Sequence, residues 1–220
     1  MITVVTSITG AYDGLIEDQN RGRAKFVAFT DEPQWSDTWE IRKACDLFKD
    51  PRRNSRIHKI LTHQYIDTEY SIWIDGNLRL LVPPEELVEK HLRNHDIALF
   101  RHPTRDCVYD EMDAVLTLGF ENGDILQEQA TEYSKQGFPE HRGLTENNVI
   151  IRRHTPKVEE LNNAWWSEYC RFSKRDQTSF IPAVDRAGTR VNIINETWAP
   201  YNGTFRRGGI EYANHLKPRV

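Results

Sequence analysis

Cysteine is scarce in this chain: Cys45, Cys107 and Cys170 are the three present in 220 residues. The number is odd and no Cys-x-x-Cys spacing occurs, which argues against a disulfide framework or a zinc knuckle. Reduced, mostly structural thiols in a cytoplasmic protein are the expectation. Long apolar runs are missing too. None approaches the roughly 20 residues that span a bilayer, so no integral membrane segment is expected. The opening "MITVVTS" lacks the charged start and apolar core of a secretory signal. Nor is there an excess of positive charge, since the formal balance is −4; a general nucleic-acid binder would normally be basic. No Walker loop, Gly-x-Gly-x-x-Gly, Gly-x-Ser-x-Gly or His-Glu-x-x-His pattern occurs. These absences argue against the common kinase, dinucleotide and hydrolase classes. Without internal repeats or low-complexity linkers, the length suits a single domain, residues 1–220.

What is present is an alternation of short apolar strands and amphipathic helices. Ile2 to Thr6, "AKFVAFTD", "YSIWID", "DIALF", "ENNVIIRRH" and "VNIIN" read as strands. "PPEELVEKHLRNH" reads as a helix opened by proline, with acidic residues first and basic ones later. "NSRIHKILTHQYI" has Ile57, Ile60, Leu61 and Tyr65 at helical spacing, with Asn54 or Ser55 as N-cap. Four further helices fall in "CVYDEMDAVLTLG", "DILQEQATEYSKQG", "VEELNNAWWSEYCRF" and "RDQTSFIPAVDRAG". "TWEIRKACDLF" reads either as a short helix or as an irregular connection. From about residue 199 the Gly-rich tail reads as irregular. The alternation predicts a mostly parallel, Rossmann-like α/β sheet flanked by helices. Ligands of such sheets sit at the carboxyl ends of the strands.

Polar groups gather at those ends: Thr6 and Ser7, Thr30 and Asp31, Asp75 with Asn77, Arg101 and His102. Asp75-Gly76-Asn77 stands between two apolar runs. It is either a tight hairpin turn or a pair of oxygen ligands projecting to one side of an extended segment. Such oxygens can share a hard divalent cation that neutralises a diphosphate. His215 in the tail would complete a mixed oxygen and nitrogen set suited to manganese, with Lys217 in reach of a phosphate. Arg53, Arg56 and Lys59 fall on one helix face if that helix starts early, and such a face can hold a diphosphate. Tyr12 can stack on a base, and Asp13, Thr30 and Asp31 can read ribose or base edges; all are also ordinary turn formers. Asp176 and Gln177 open a helix, either as a cap or as contacts to a reacting sugar. Glu146, Asn147 and Asn148 precede an apolar strand and bind sugar hydroxyls or form a turn. Trp165 and Trp166 read as core.

The blocks "YSIWIDGNLRL", "ALFRHPTRDCVYDE", "LTENNVIIRRH" and "WWSEYCRFSKRDQTSF" together resemble one glycosyltransferase-like family. It includes plant proteins of the mucilage-related and alkaline-ceramidase-labelled type, with bacterial and phage members. It is similar to the glycogenin-like, retaining transferases of the GT-A fold. The resemblance covers residues 1 to 190, most specifically in "WIDGN" and "RDQTSF". It implies a metal-dependent transfer from a nucleoside-diphosphate sugar, a UDP-sugar foremost, to a hydroxyl acceptor such as a glycan, lipid-linked sugar, protein or modified base. Asp75-Gly76-Asn77 then stands where the family carries Asp-x-Asp, with Asn77 as a departure. His215 matches a C-terminal metal histidine, Asp176 and Gln177 an Asp-Gln pair near the donor sugar, and Asn148 an asparagine before the central strand. The metal set implied is Asp75, Asn77 and His215, holding Mn²⁺ or Mg²⁺. Ser7, Tyr12, Asp13, Thr30, Asp31, Arg56, Lys59, Gly76, Asn148 and Lys217 are the expected nucleotide and donor contacts. The alternatives are a nucleotidyltransferase and a non-catalytic sugar-binding module.

Overall fold

The structure, a computed structural model, describes residues 1–213; His215 and Lys217 lie outside the described residues. Eight strands are distributed along most of the chain: β1 (Ile2–Ile8), β2 (Lys25–Thr30), β3 (Glu40–Lys43), β4 (Tyr70–Ile74), β5 (Leu78–Leu80), β6 (Ile97–Arg101), β7 (Thr145–Arg153) and β8 (Asn192–Ile194). Six helices lie between them: α1 (Pro51–Ile60), α2 (Pro84–His91), α3 (Val108–Thr117), α4 (Gly123–Lys135), α5 (Pro156–Arg171) and α6 (Gln177–Ala187). Three short strands follow, β9 (Ala199–Tyr201), β10 (Thr204–Arg207) and β11 (Ile210–Tyr212).

The main sheet runs β3-β2-β1-β4-β7-β6-β8. Its pairs are parallel except β4–β7 and β7–β6, which are antiparallel. Consecutive residues of each strand face opposite layers. Val5, Val27, Trp73, Leu99 and Ile150 pack with Ile57 and Ile60 of α1, Leu161 and Trp165 of α5 and Phe180 of α6. Val4, Phe26, Ile72, Ala98 and Ile151 pack on the other side with Leu87 of α2 and with Leu78, Leu80 and Ile210 of the smaller sheet. The strands are apolar on both faces because both faces are covered.

Three local expectations change. "TWEIRKACDLF" holds the edge strand β3, paired with β2 from Val27–Glu40 to Thr30–Lys43; a parallel edge partner decides a segment whose local pattern is ambiguous. Helix α1 starts earlier than Asn54. Its cap is Asp50, whose carboxylate accepts from Arg52 N at 2.9 Å. Asn54 instead accepts from Leu47 N and Phe48 N, closing the loop before the helix. The tail is not irregular through Tyr212: β9, β10 and β11 join β5 in an antiparallel sheet ordered β5-β11-β10-β9.

That small sheet settles the Asp-Gly-Asn segment. Leu78 N bonds to Asp75 O at 3.0 Å, so a tight turn exists. The strands on either side do not pair with each other, however. β4 lies between β1 and β7, while β5 pairs with β11, Leu78 opposite Tyr212. The turn carries the chain from one sheet to the other rather than closing a hairpin.

Candidate active site

A cleft of about 660 Å³ opens at the carboxyl ends of β1 and β4. This is where strand order reverses, with β2 on one side of β1 and β4 on the other, and ligands of α/β sheets collect at such switch points. Ser7, Tyr12, Asp13, Arg56, Lys59, Asp75, Gly76, Asn77, Asn148, Asp176 and Gln177 all line it.

A buried charge network forms the floor. Trp73 and Asp75 are two apart on β4 and its extension, so both face α1. The Trp73 indole donates to Asp75 Oδ1 at 2.8 Å, and Lys59 Nζ lies 3.4 Å from the same oxygen. Lys59 Nζ also sits 2.7 Å from Asp176 Oδ2, and Arg56 Nε lies 3.6 Å from Asp176 Oδ1. The Lys59 side chain is 2% exposed and that of Asp176 is 9%, so these charges have left water and depend on each other. Burial alone would raise the Asp176 carboxyl, but the Lys59 and Arg56 charges outweigh it and hold the group well below the carboxylate range. Burial likewise opposes the Arg56 charge, and Asp176 and Asp75 more than compensate, raising its pKa.

Asp176 precedes α6, yet its side chain makes no capping hydrogen bond there. It is turned instead toward the cations of α1. Its backbone is fixed from behind by Trp165, whose indole donates to Asp176 O and to Ser179 Oγ, each at 3.1 Å. Arg53 does not share the cleft-facing side of α1 with Arg56 and Lys59. It donates to Tyr169 O and Phe172 O at the end of α5, where helix carbonyls need donors.

β7 forms the second wall. Its pairing with β6 slips between Leu99–Ile150 and Phe100–Glu146, which leaves residues 147–149 out of that ladder. Asn148 O accepts from Asp75 N at 2.9 Å and ties the wall to the floor. Glu146 accepts from Asn148 Nδ2 at 3.0 Å and from the Trp198 indole at 3.0 Å. Arg207 of β10, lying between the Phe100 and Trp198 rings, donates to Glu146 at 2.7 Å and to Asn148 Oδ1 at 3.1 Å. The small sheet is therefore part of the cleft's support. A third wall carries His102, Arg105 and Glu111. Arg105 Nε pairs with Glu111 at 2.7 Å, and His102 Nδ1 accepts from Arg105 N at 3.0 Å. Burial and the Arg105 charge push the His102 pKa down to about 4, so the ring is neutral at pH 7.

Thr30 and Asp31 stand outside this lining. Thr30 Oγ1 donates to Glu32 O, and Asp31 accepts from Gly10 N at 2.6 Å. Gly10 has φ +65, and its Cβ position would meet Pro51 at 2.8 Å, so Asp31 pins a loop that only glycine fits. The basic pair Arg152 and Arg153 also lies elsewhere. Arg152 is fully buried under α1, donating to Lys59 O at 2.9 Å, and burial lowers its pKa to about 9. Arg153 pairs with Glu69 at 3.3 Å. Trp73 is a site-forming residue that sequence reasoning did not single out for the site, because an indole in an apolar strand reads as core.

Residues 13–197 match the model of the TOD1/MUCI70, glycosyltransferase-like domain family. The chain belongs to that family. A probable hexosyltransferase, MUCI70 of Arabidopsis thaliana, is 29% identical over 222 aligned residues, covering 87% of this chain and 38% of the relative. A second Arabidopsis thaliana protein, called alkaline ceramidase TOD1, is 26% identical over 194, covering 81% and 40%. The chain thus spans about two fifths of the length of these TOD1/MUCI70 relatives. Among solved structures, the bifunctional glycosyltransferase WbbM in its apo form superposes with a TM-score of 0.52 at 13% identity, over 88% of this chain and 38% of the other. Apo mouse xyloside xylosyltransferase 1 superposes with a TM-score of 0.51 at 9% identity, over 88% and 84%. At such identities the likeness concerns fold alone, and the fold is the GT-A type. By family and fold this is a glycosyltransferase-like domain of the GT-A type.

Proposed function

We propose that this TOD1/MUCI70-family domain transfers a sugar, a hexose first among candidates, from a UDP-sugar to a hydroxyl acceptor with retention of configuration. The observation that carries the reading is the Asp75–Lys59–Asp176 network at the sheet's switch point. It joins the tip of β4, where a diphosphate would lie, to the start of α6, where the donor sugar would lie. Tyr12 and Asp13 would seat the nucleoside, with Ser7 and Gly76 at the cleft floor. Arg56 and Lys59 would face the departing diphosphate, whose charge grows as the glycosidic bond breaks. Gln177 and Asn148 would bind sugar hydroxyls.

Asp176 is a poor proton acceptor while its two cations hold it ionised. That favours a positioning role beside the sugar carbon over general-base work, and it supports retention over inversion.

The donor set at the turn fits a hard divalent ion. Asp75 Oδ1 is engaged by Trp73 and Lys59, which leaves Oδ2 as the oxygen to meet a cation. Asn77 adds an amide oxygen chemistry of the same hard class. Asp75 and Asn77, with His215 beyond the described residues, would hold Mn²⁺ or Mg²⁺. When bound, such an ion supplies charge neutralisation for the leaving group.

The test is donor turnover by the purified chain. UDP- and GDP-sugars, with and without Mn²⁺, are incubated with the protein and released nucleotide is measured. Metal-stimulated release of UDP is expected. Pyrophosphate release from nucleoside triphosphates would establish a nucleotidyltransferase instead, and metal-independent glycan binding without turnover would establish a binding module.

A further inference from the structure

A second group of ligand-type side chains lies outside the cleft lining. Cys107 stands immediately before α3, Asp110 lies in its first turn, and His141 lies in the loop between α4 and β7. Their sulfur, carboxylate oxygen and imidazole nitrogen fall within 4.8 Å of one another. We propose that these three residues form a binding site for a thiophilic divalent cation of the zinc class.

The donor set selects the ion. A sulfur ligand beside an imidazole and one carboxylate suits zinc or cobalt, whereas magnesium, calcium and manganese prefer oxygen. Three protein ligands with water in the fourth position make an ordinary tetrahedral zinc environment. Ligation releases the thiol proton to solvent, the sulfur giving its freed electron pair to the metal.

The surroundings are built to hold the ligands in place. Asp106 bonds Nδ1 of His141 at 2.8 Å, the carboxylate–histidine pairing that orients metal-bound imidazoles. His141 adopts a left-handed backbone, φ +53, a cost that a non-glycine residue rarely bears. Gly143 N bonds Asp106 O at 2.8 Å, clamping the loop to the segment that carries Cys107. Cys107 is 1% exposed while Asp110 and His141 are exposed. An ion entering from solvent would therefore meet the histidine and aspartate first and the sulfur last. Once bound, it would clip the start of α3 to the loop before β7. Arg105 and Glu111, which line the cleft, flank Cys107 in sequence, so the clip would brace that wall.

The experiment uses the purified 220-residue chain, stripped of metal with a chelator and titrated with Co²⁺. One equivalent is expected to give a thiolate-to-cobalt charge-transfer band and tetrahedral visible bands, both displaced by Zn²⁺. The band should vanish in Cys107→Ala. It should weaken, with at least about tenfold poorer cobalt affinity, in His141→Ala, an exposed change that spares the core. In Asp75→Asn it should persist unchanged, which separates this site from any ion in the cleft. A spectrum of aqueous cobalt only, a band that survives Cys107→Ala, or unchanged affinity in His141→Ala would overturn the proposal. Its outcome is independent of whether the domain transfers sugar.

Discussion

Asp176 is the residue on which the proposed function and stability meet. Removing its charge in Asp176→Asn leaves Lys59, 2% exposed, without its nearest counter-ion. Breaking a buried pair in this way costs about 3 kcal/mol. Chemical denaturation should show that loss, and donor turnover should fall by at least about a hundredfold if the group also positions the sugar. The pair's acid sensitivity has a defined sign. The folded carboxyl lies below the unfolded value of about 3.9. Its contribution is complete above that pH and is lost only as pH falls toward the lower folded value. Trp73→Phe tests a subtler point. It keeps most of the packing but deletes the indole donor to Asp75. The metal concentration needed for half-maximal turnover is expected to change several-fold, with stability reduced by about 1 kcal/mol for the lost hydrogen bond. Unchanged metal dependence would separate Trp73 from the site. Asp75 and Asp176 were legible as candidates because strand ends and helix starts are where such folds bind ligands, and Lys59, in the last turn of α1, through its helical spacing with Arg56. The alternative for Asp176, an ordinary cap, was equally legible, and it is the tertiary position of α1 that turns the carboxylate to Lys59 and Arg56 instead of the helix N-terminus.

At the scale of elements, the small sheet holds the cleft together. Arg207 reaches from β10 across to Glu146 and Asn148. Arg207→Met keeps bulk between Phe100 and Trp198 but removes the hydrogen bonds to a charged partner. A loss of about 2 kcal/mol is expected, and hydrogen exchange should rise across β9 to β11 and the start of β7 together. Exchange that rises in β10 alone would show the two sheets to be uncoupled. None of this was legible in the tail's composition. β11 has three residues and pairs with β5, more than a hundred positions earlier, Tyr212 opposite Leu78. A strand so short carries almost no periodicity, and its partner is fixed by the global fold. The long segments behaved differently: β1, β2, β4, β6 and β7 and all six helices follow from apolar patterning, because each buries a face against a neighbouring layer. β3 failed as a local reading for the same reason as the tail. The Asp-Gly signal correctly marked a turn, yet the turn type alone does not say whether the next strand returns to the same sheet.

For the molecule as a whole, the decisive titrations are those of buried histidines rather than carboxylates. Burial lowers the pKa of His58 to about 3 and is the largest cause at His102 and His154, each lowered to about 4. His63 and His91 are lowered as well, again mainly by burial. His58 shows what protonation would disrupt: its ring stacks on Phe29 at 3.9 Å, and Nε2 accepts from Cys45 N at 3.0 Å. In the unfolded chain these rings titrate near about 6.5. Below that value the unfolded state takes up protons that the folded state refuses, so stability falls as pH falls. His141, raised by its Asp106 partner, contributes with the opposite sign, one group against five. Urea unfolding followed from about pH 7 to about pH 5 should therefore show a steadily declining midpoint, well before Asp176 is protonated. Each proton of difference corresponds to about 1.4 kcal/mol per pH unit at full effect. His58→Gln retains an acceptor for Cys45 N and removes the titrating ring, so its slope should be shallower than that of the parent. A midpoint that stays level across this range would mean that the interior admits protonated histidine, and that the sheet and helix layers are less tightly closed around His58 than its stacking on Phe29 implies.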